Sequence, residues 1–418
     1  MRIAIVGSGI SGMTAAWLLH ERHEITVFEA GDYVGGHTHT IDVQLDGERH
    51  AIDSGFIVFN DRTYPNFIRL MERLGVASQP APMSFSVRCD RTGLEYNGTS
   101  LNGLFAQRRN LFRPRFLKML RDILRFNRES LELLADERED LTVEEYLTTR
   151  RYSRSFADQY LLPMGAAIWS CPVDTFARFP MRFIVEFYLN HGLLSLRNRP
   201  QWRVIRGGSR NYVSKLTAPF QNRIRLNAPV RNIRRDAEGV VVSVAGQPDE
   251  RFDHVIFACH SDQALQILGA EATRTERELL SAFPYQPNVA VMHTDESVLP
   301  RRRIAWAAWN YHIRRQNDGR SATLTYNMNI LQSIQSRHTF CVTLNSEEDI
   351  APEKIIGRWV YHHPVYTVER RRVQQRHAEV INRNRTSFCG AWWGNGFHED
   401  GVNSAIAVCR GLGVNPPW

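Results

Sequence analysis

The chain has 418 residues, 43% hydrophobic and 23% charged, a balance that excludes wholesale disorder, and the length favours two domains over a single core. Its apolar runs fall far short of the roughly 20 residues that a membrane-spanning helix needs. Net charge is +8, which draws a protein towards phosphates or anionic lipid surfaces; no nucleic-acid motif accompanies it, so no nucleic-acid partner is expected.

Almost all of the positive charge is arginine, the lysines being Lys118, Lys215 and Lys354. Six scattered cysteines (Cys89, Cys171, Cys259, Cys341, Cys389, Cys409) form no CxxC pair and no short zinc spacing, so they are expected to be reduced and mostly buried. Met1 leads directly into RIAIVG. No targeting segment is therefore expected ahead of the fold, and a cytoplasmic address is the default expectation.

RIAIVGSGISGMTAAWLLHERHEITVFEA predicts strand, glycine turn, helix, strand. Ile3, Ile5 and Val6 suit a buried parallel strand. Gly7, Gly9 and Gly12 have GxGxxG spacing: the first makes the tight turn, the second admits a pyrophosphate, and the third lets helix pack on strand. Ser8, Ile10 and Ser11 fill out this turn, where the helix presents free N–H groups to phosphates. Ala15, Ala16, Leu18 and Leu19 supply the helix's apolar stripe. Glu29, followed by Ala30, ends the second strand, where an acid accepts hydrogen bonds from ribose hydroxyls and repels a 2′-phosphate. A dinucleotide other than NADP is the expected ligand.

Next comes AGDYVGGHT, with the glycine pair Gly35-Gly36 followed by His37 and Thr38. This stretch resembles the start of the flavin-containing amine oxidoreductase superfamily, which includes monoamine oxidases, protoporphyrinogen oxidase and phytoene desaturases. The resemblance implies FAD, with the chain folding back against the phosphates. The superfamily usually has arginine where this chain has His37. IDVQLDGERHAIDSGFIVFN predicts a hairpin with an Asp46-Gly47 turn. Its end, DSGFIVF, resembles the segment beside the flavin ring, with Asp53, Gly55 and Phe56 in the matching places; an ordinary turn aspartate is the alternative for Asp53.

Residues 82–200 are expected to be a helical part of a substrate domain. Within LFRPRFLKMLRDILRFNRESLELL, Phe116, Met119, Leu120, Ile123 and Leu124 recur at helical spacing while Arg115, Lys118, Arg121 and Arg125 lie on other faces. That predicts a core-facing helix with a solvated basic side. The alternative is a segment, 112–130, that rests on an anionic membrane surface or admits a lipid.

Residues 201–285 return to the cofactor domain begun by 1–81. WRVIRGGSRNYVSKL, IRLNAPVRNIRR, GVVVSV and HVIFACHSDQALQIL predict strands and helices; by resemblance Val230 holds the adenine through main-chain bonds, and Ala258 belongs to the same site. Residues 286–375 are expected to add a sheet roofing the flavin, and 376–418 to close the cofactor domain. The expected class is thus α/β: a discontinuous Rossmann-like FAD domain with an inserted α+β substrate domain, in a two-domain layout like that of amine oxidases.

The closing stretch is CGAWWGNGFHEDGVNSAIAV. A zinc helix needs His-Glu-x-x-His, but Val402 stands four residues after His398, and Gly396 and Gly401 argue against a continuous helix, so no metal is expected. By resemblance Gly390 approaches the pyrophosphate and ribityl region, Phe397 falls near the aromatic wall, and Gly401-Val402 open the final helix towards the flavin. His398 is a candidate proton relay oriented by Glu399; the alternative is that both only shape the loop. The strings AAIWSCP, NHGLL, MHTDE, AWAAWNY, TYNMNILQ, HHPVYT and GFHEDG resemble a branch of bacterial NAD/FAD-binding proteins of predicted oxidoreductase type. They also resemble the flavin region fused to plant cyclopropane fatty acid synthases.

The implied activity is an FAD-dependent oxidoreductase taking a hydride from a carbon of an apolar substrate, foremost a fatty-acyl or lipid chain. An amine oxidase acting on a small amine is one alternative, and a flavin-bearing module supporting a partner lipid-modifying enzyme is another. No lysine is placed for an amine oxidase's role at the flavin, and the covalent-flavin cysteine motif is absent, so FAD is expected to be non-covalent.

Overall fold

β1 (Arg2–Val6), α1 (Ile10–Leu19) and β2 (Glu24–Phe28) follow one another around the glycine turn, and the strands pair in parallel from Arg2↔Glu24 to Val6↔Phe28. The molecule is described by a computed structural model over residues 1–135, 141–169, 171–195, 197–314 and 322–418; Ser170 of the AAIWSCP string lies outside the described residues. Ile3, Ala4 and Ile5 are fully buried, because both faces of this sheet are covered. Its five strands run in the order Ile224–Arg225, β2, β1, His254–Phe257, Thr386–Phe388, with every pairing parallel. Strands from the start, middle and end of the chain thus build one Rossmann-like layer.

Every residue of α1 except Trp17 is buried, so the expected single apolar stripe is in fact apolar packing on nearly all sides. The cause is a second partner: the final helix, His398–Gly411, packs against α1. Gly12 makes the close approach on the strand side, since a Cβ there would sit 2.0 Å from the carbonyl oxygen of Gly7.

The second layer is a seven-stranded sheet in the order Ile355–Pro364, Tyr285–His293, Cys341–Leu344, Ala322–Asn327, Trp309–Ile313, Phe85–Cys89, Leu94–Asn97. Residues 82–200, expected to be helical, therefore also supply two strands. Phe85–Cys89 runs parallel to Trp309–Ile313, which joins the two insertions into one body. Helices including Pro114–Glu129 and Met181–Asn190 cover it, and Phe126, Tyr146, Phe156 and Tyr188 are fully buried in their core.

The hairpin of Thr40–Leu45 with Glu48–Asp53 forms around Asp46-Gly47 as expected. Asp53 is fully buried and ties three segments together. Its carboxylate accepts from the Thr40 hydroxyl at 2.6 Å, the Ser209 N–H at 2.9 Å and the Ser209 hydroxyl at 2.7 Å, while Gln332 Nε2 lies at 3.3 Å. Burial pushes its pKa up to about 6 against the pull of these donors. Asp53 does not line the cavity described below; its place is structural. Asp53→Ala leaves buried donors of Ser209 without an acceptor, and urea unfolding is expected to show a loss of about 2 kcal/mol.

Candidate active site

A cavity of about 910 Å³ runs from the glycine turn into the space between the two layers. At its polar end it is lined by Gly7, Ser8, Gly9, Ile10 and Ser11, by Glu29 and Ala30, and by Gly35, Gly36 and His37. A Cβ on Gly9 would meet nothing within 4 Å, and no side chain caps α1, so the helix's first N–H groups face open space suited to a phosphate. Glu29 closes the turn: it accepts the Ser8 N–H at 2.9 Å, the Ser8 hydroxyl at 2.5 Å and the Gly31 N–H at 2.9 Å. A carboxylate has about four lone-pair sites, so acceptor capacity remains for ribose hydroxyls. Val230, Ala258, Gly390, Gly55 and Phe56 line the same cavity. The residues present therefore fit a dinucleotide.

Gly12 and Thr38 lie just outside the lining. Gly12 serves the helix–strand contact already described. Thr38 is buried and bonds through Oγ1 to Tyr212 OH at 2.5 Å and His398 Nε2 at 3.0 Å. Tyr212 OH is also 3.0 Å from that nitrogen, and the His398 ring stacks on Phe56 with centroids 3.4 Å apart. His398 is thus fixed on both its edge and its face while lining the cavity. Burial, then the neighbouring His37, holds its pKa well below the ordinary histidine value, so the ring is neutral at pH 7.

Two expectations for this stretch need correction. Glu399 does not orient His398: its carboxylate accepts the N–H groups of Asn66 at 3.0 Å and Phe67 at 2.8 Å. It caps the helix Pro65–Arg73, accepting two of its first-turn donors. Nor do Gly401 and Val402 open the final helix, which begins at His398 and runs through both. The Gly401 N–H is already bonded to the Phe397 carbonyl at 3.1 Å, and neither residue lines the cavity. Glycine is needed at 401 because a Cβ would meet Ile10 Cγ2 at 2.6 Å and Ser11 Oγ at 2.9 Å; it seats the final helix on α1.

Beyond Phe56 the lining becomes aromatic, with Tyr160, Trp169, Phe187, Trp309, Tyr326 and Tyr366 among its members. Phe397 stacks on Phe187 at 5.4 Å in this wall. Arg199, exposed, stands at the rim. Of all the lining residues only Glu29, at the opposite end, is acidic.

The residue types also concealed a histidine cluster. His260, His362 and His363 line the cavity with His37; ring centroids lie 5.4 Å apart for His37–His363 and 6.1 Å for His37–His260. Burial, then mutual repulsion, lowers His37 and His260 to about 4 and His363 to about 3. Their other partners are uncharged: Tyr361 beside His37, Tyr285 stacked on His260, and Asn288 at 3.1 Å from His363 Nδ1. The HHPVYT doublet, at the end of a strand, was the available signal.

A parallel-sheet dinucleotide turn, closed by the carboxyl end of the chain and roofed by an aromatic-walled sheet, defines a two-domain flavoprotein oxidoreductase. The family model for flavin containing amine oxidoreductases matches residues 10–339, and the chain belongs to that family, whose members are FAD-dependent enzymes. The chain is 40% identical over 76 residues to zeta-carotene desaturase of Synechocystis sp., covering 18% of this chain and 15% of that one. It is 28% identical over 259 residues to a Mycobacterium tuberculosis protein named for flavin-containing monoamine oxidase, AofH, covering 60% of this chain and 55% of that one. The matches thus span about half the length of these relatives, or less. The fold is similar to that of a fatty acid isomerase from P. acnes that produces CLA, with a TM-score of 0.67, 16% identity and 98% of each chain covered.

Two outcomes follow from this geometry. Glu399→Ala is expected to lower stability by about 1–2 kcal/mol through loss of the helix cap in urea unfolding, with the bound-flavin spectrum unchanged; an altered spectrum would return Glu399 to the site. For His37, His260 and His363, an anionic ligand raises pKa values that burial has lowered to about 4 or about 3, so FAD binding is expected to take up protons and to tighten as pH falls towards about 4. Titration calorimetry in buffers of different ionisation enthalpy checks this: equal heats and a flat Kd would contradict it.

Proposed function

We propose that this flavoenzyme removes a hydride equivalent from a carbon of an apolar substrate, foremost a fatty-acyl or lipid chain. The observation that carries the proposal is the character of the cavity beyond Phe56: aromatic walls, no carboxylate, and one exposed arginine, Arg199, at the rim. An apolar chain gains by leaving water for such a wall, and a carboxylate or phosphate headgroup has Arg199 to meet it. The resemblance of AAIWSCP, HHPVYT and GFHEDG to the flavin region fused to plant cyclopropane fatty acid synthases points the same way.

Bound FAD would supply the hydride-accepting ring; the polar-end residues would hold it. Non-covalent attachment is supported by the cysteines. Cys259 alone among them lines the cavity, and burial pushes its thiol up to about 12, leaving no thiolate to attack. His398, neutral and held at Nε2 by two hydroxyls, is suited to pass a proton at the cavity surface without adding charge. The lysines take no part: Lys215 donates to the Gly75 carbonyl and Lys354 pairs with Asp295, while Lys118 is exposed on its helix.

A second reading, oxidation of a small amine, draws on the likeness to AofH and on the aromatic walls. Against it stands the want of any anionic group to receive an ammonium in that half of the cavity. In a third, the protein holds FAD with little turnover and supports a partner lipid-modifying enzyme.

Anaerobic titration of the yellow holoprotein distinguishes them. Acyl chains or phospholipids are expected to bleach the flavin, heat denaturation to release it, and Arg199→Gln to weaken acyl binding about tenfold. Bleaching by amines alone would overturn the acyl proposal; bleaching by neither, with FAD tightly held, favours the supporting module. His398→Ala that reduces at the normal rate removes the proton-relay role.

A further inference from the structure

The basic helical region has the buried apolar side and solvated basic side its sequence predicts, but its outer face carries apolar side chains as well. Residues 96–121 contain six basic side chains and no aspartate or glutamate. In the helix Pro114–Glu129, Phe116, Met119 and Phe126 turn inward and are buried. Leu124, grouped by its spacing with that inward set, instead faces out. Outward positions repeat as Leu117, Arg121, Leu124 and Arg128, alternating apolar and cationic at three- and four-residue intervals along one face.

Just before this helix the exposure is greater. Phe112 is 86% exposed and Leu101 77%, and Leu111 between them is exposed as well. Single exposed leucines are ordinary; a phenylalanine and several leucines grouped within 24 residues, among arginines, mark an interaction surface. Ile304, also exposed, belongs to a short turn that packs beside the helix Leu101–Leu104; of its neighbours, Arg302 adds positive charge, while Arg303 pairs with Glu296 at 3.0 Å.

This surface adjoins the cavity. Gly98 and Thr99 line it and are themselves solvent-exposed, so they stand at a mouth, and Leu101 follows two residues later. The cavity's aromatic half therefore opens beside the most exposed apolar side chains of the chain's basic segment.

We propose that the face formed by residues 101–124 docks on an anionic lipid bilayer, with Leu101, Leu111 and Phe112 entering the acyl boundary and the arginines meeting headgroup phosphates, so that the Gly98–Thr99 mouth faces the membrane. Charge complementarity commits the surface to this occupant: a bilayer offers both negative headgroups and an apolar layer beneath them, whereas a second copy of this chain would bring six like charges against six. Docking deepens the acyl-substrate proposal by naming where the substrate comes from, but it stands on separate observations.

The test is flotation of the full-length holoprotein with vesicles of phosphatidylcholine alone or mixed in equal parts with phosphatidylglycerol. Binding is expected only with the anionic vesicles, falling as salt is raised. Leu101→Ser/Phe112→Ser is expected to weaken it about tenfold or more, and Arg108→Gln/Arg109→Gln/Arg113→Gln to weaken it and flatten the salt dependence. Bound-flavin absorbance and far-ultraviolet dichroism, unchanged in both variants, establish that they fold. No binding by the native protein would overturn the proposal, as would binding indifferent to both variants, or a concentration-dependent dimer abolished by Phe112→Ser. Flotation needs no turnover: docking without acyl-dependent bleaching leaves this surface standing and the acyl proposal fallen. Bleaching by acyl chains in detergent without flotation does the reverse.

Discussion

The site depends on two close glycine contacts at α1, one within the amino-terminal turn and one joining the two ends of the chain. Gly12 lets α1 settle on the Gly7 turn, and Gly401 lets the final helix settle on Ile10 and Ser11 of α1. No side chain larger than hydrogen fits either contact, because the space is occupied by main chain and by short side chains already packed at interior density. Once both contacts form, α1 is buried on nearly all sides with its N-terminus alone left facing the cavity. Gly390 and His398, carried by the closing segment, are thereby brought into the cavity wall.

Polarity is graded along the resulting cavity. Glu29 and uncapped N–H groups occupy one end, a neutral histidine cluster lies along its course, and indole, phenol and phenyl rings line the other end. Such a gradient orients a ligand that is polar at one end, since each reversal would bury phosphates against rings and apolar surface against a carboxylate. His37, His260 and His363 matter to this because burial, then mutual repulsion, holds their pKa values low, so positive charge there is favoured only beside an anion.

The sequence made the parallel sheet legible because its signals are local. GxGxxG, the acid at the end of β2 and the unbroken apolar strands each carry their meaning within a few residues. The hairpin around Asp46-Gly47 was legible for the same reason. What escaped was set by contacts remote in sequence. GFHEDG reads as one polar cluster, yet its members part company in space: His398 turns to Thr38, Tyr212 and the cavity, and Glu399 turns to the Pro65–Arg73 helix. Asp400 turns back to the Phe397 N–H at 2.9 Å. Successive helical residues point about 100° apart, so a run of charged letters on a helix seldom makes a single site. Taking Gly401 as a helix start rather than a packing position concealed this, because glycine has the same letter in both roles. The hairpin of Phe85–Cys89 with Leu94–Asn97 was hidden likewise: its two strands pair locally, but the sheet it joins does so through Trp309–Ile313, more than 200 residues away.

Substrate access follows from how the cavity is divided. A dinucleotide held along Gly9, Glu29 and Val230 would occupy the polar end, so on the acyl proposal the substrate reaches the aromatic half by another opening. The exposed lining residues of that half include Gly98 and Thr99, and also Arg199 and Gln201. The first pair leads to the apolar, arginine-rich surface and the second to a cationic rim. An acyl chain crossing open water would lose the advantage of the aromatic walls during transit, because its apolar surface would remain hydrated until it arrived. Entry beside Leu101 and Phe112 shortens that exposure, and Arg199 remains placed to hold a headgroup after the chain has entered. On the acyl and docking proposals, the exposed leucines, the rim arginine and the acid-free aromatic wall are parts of a single path.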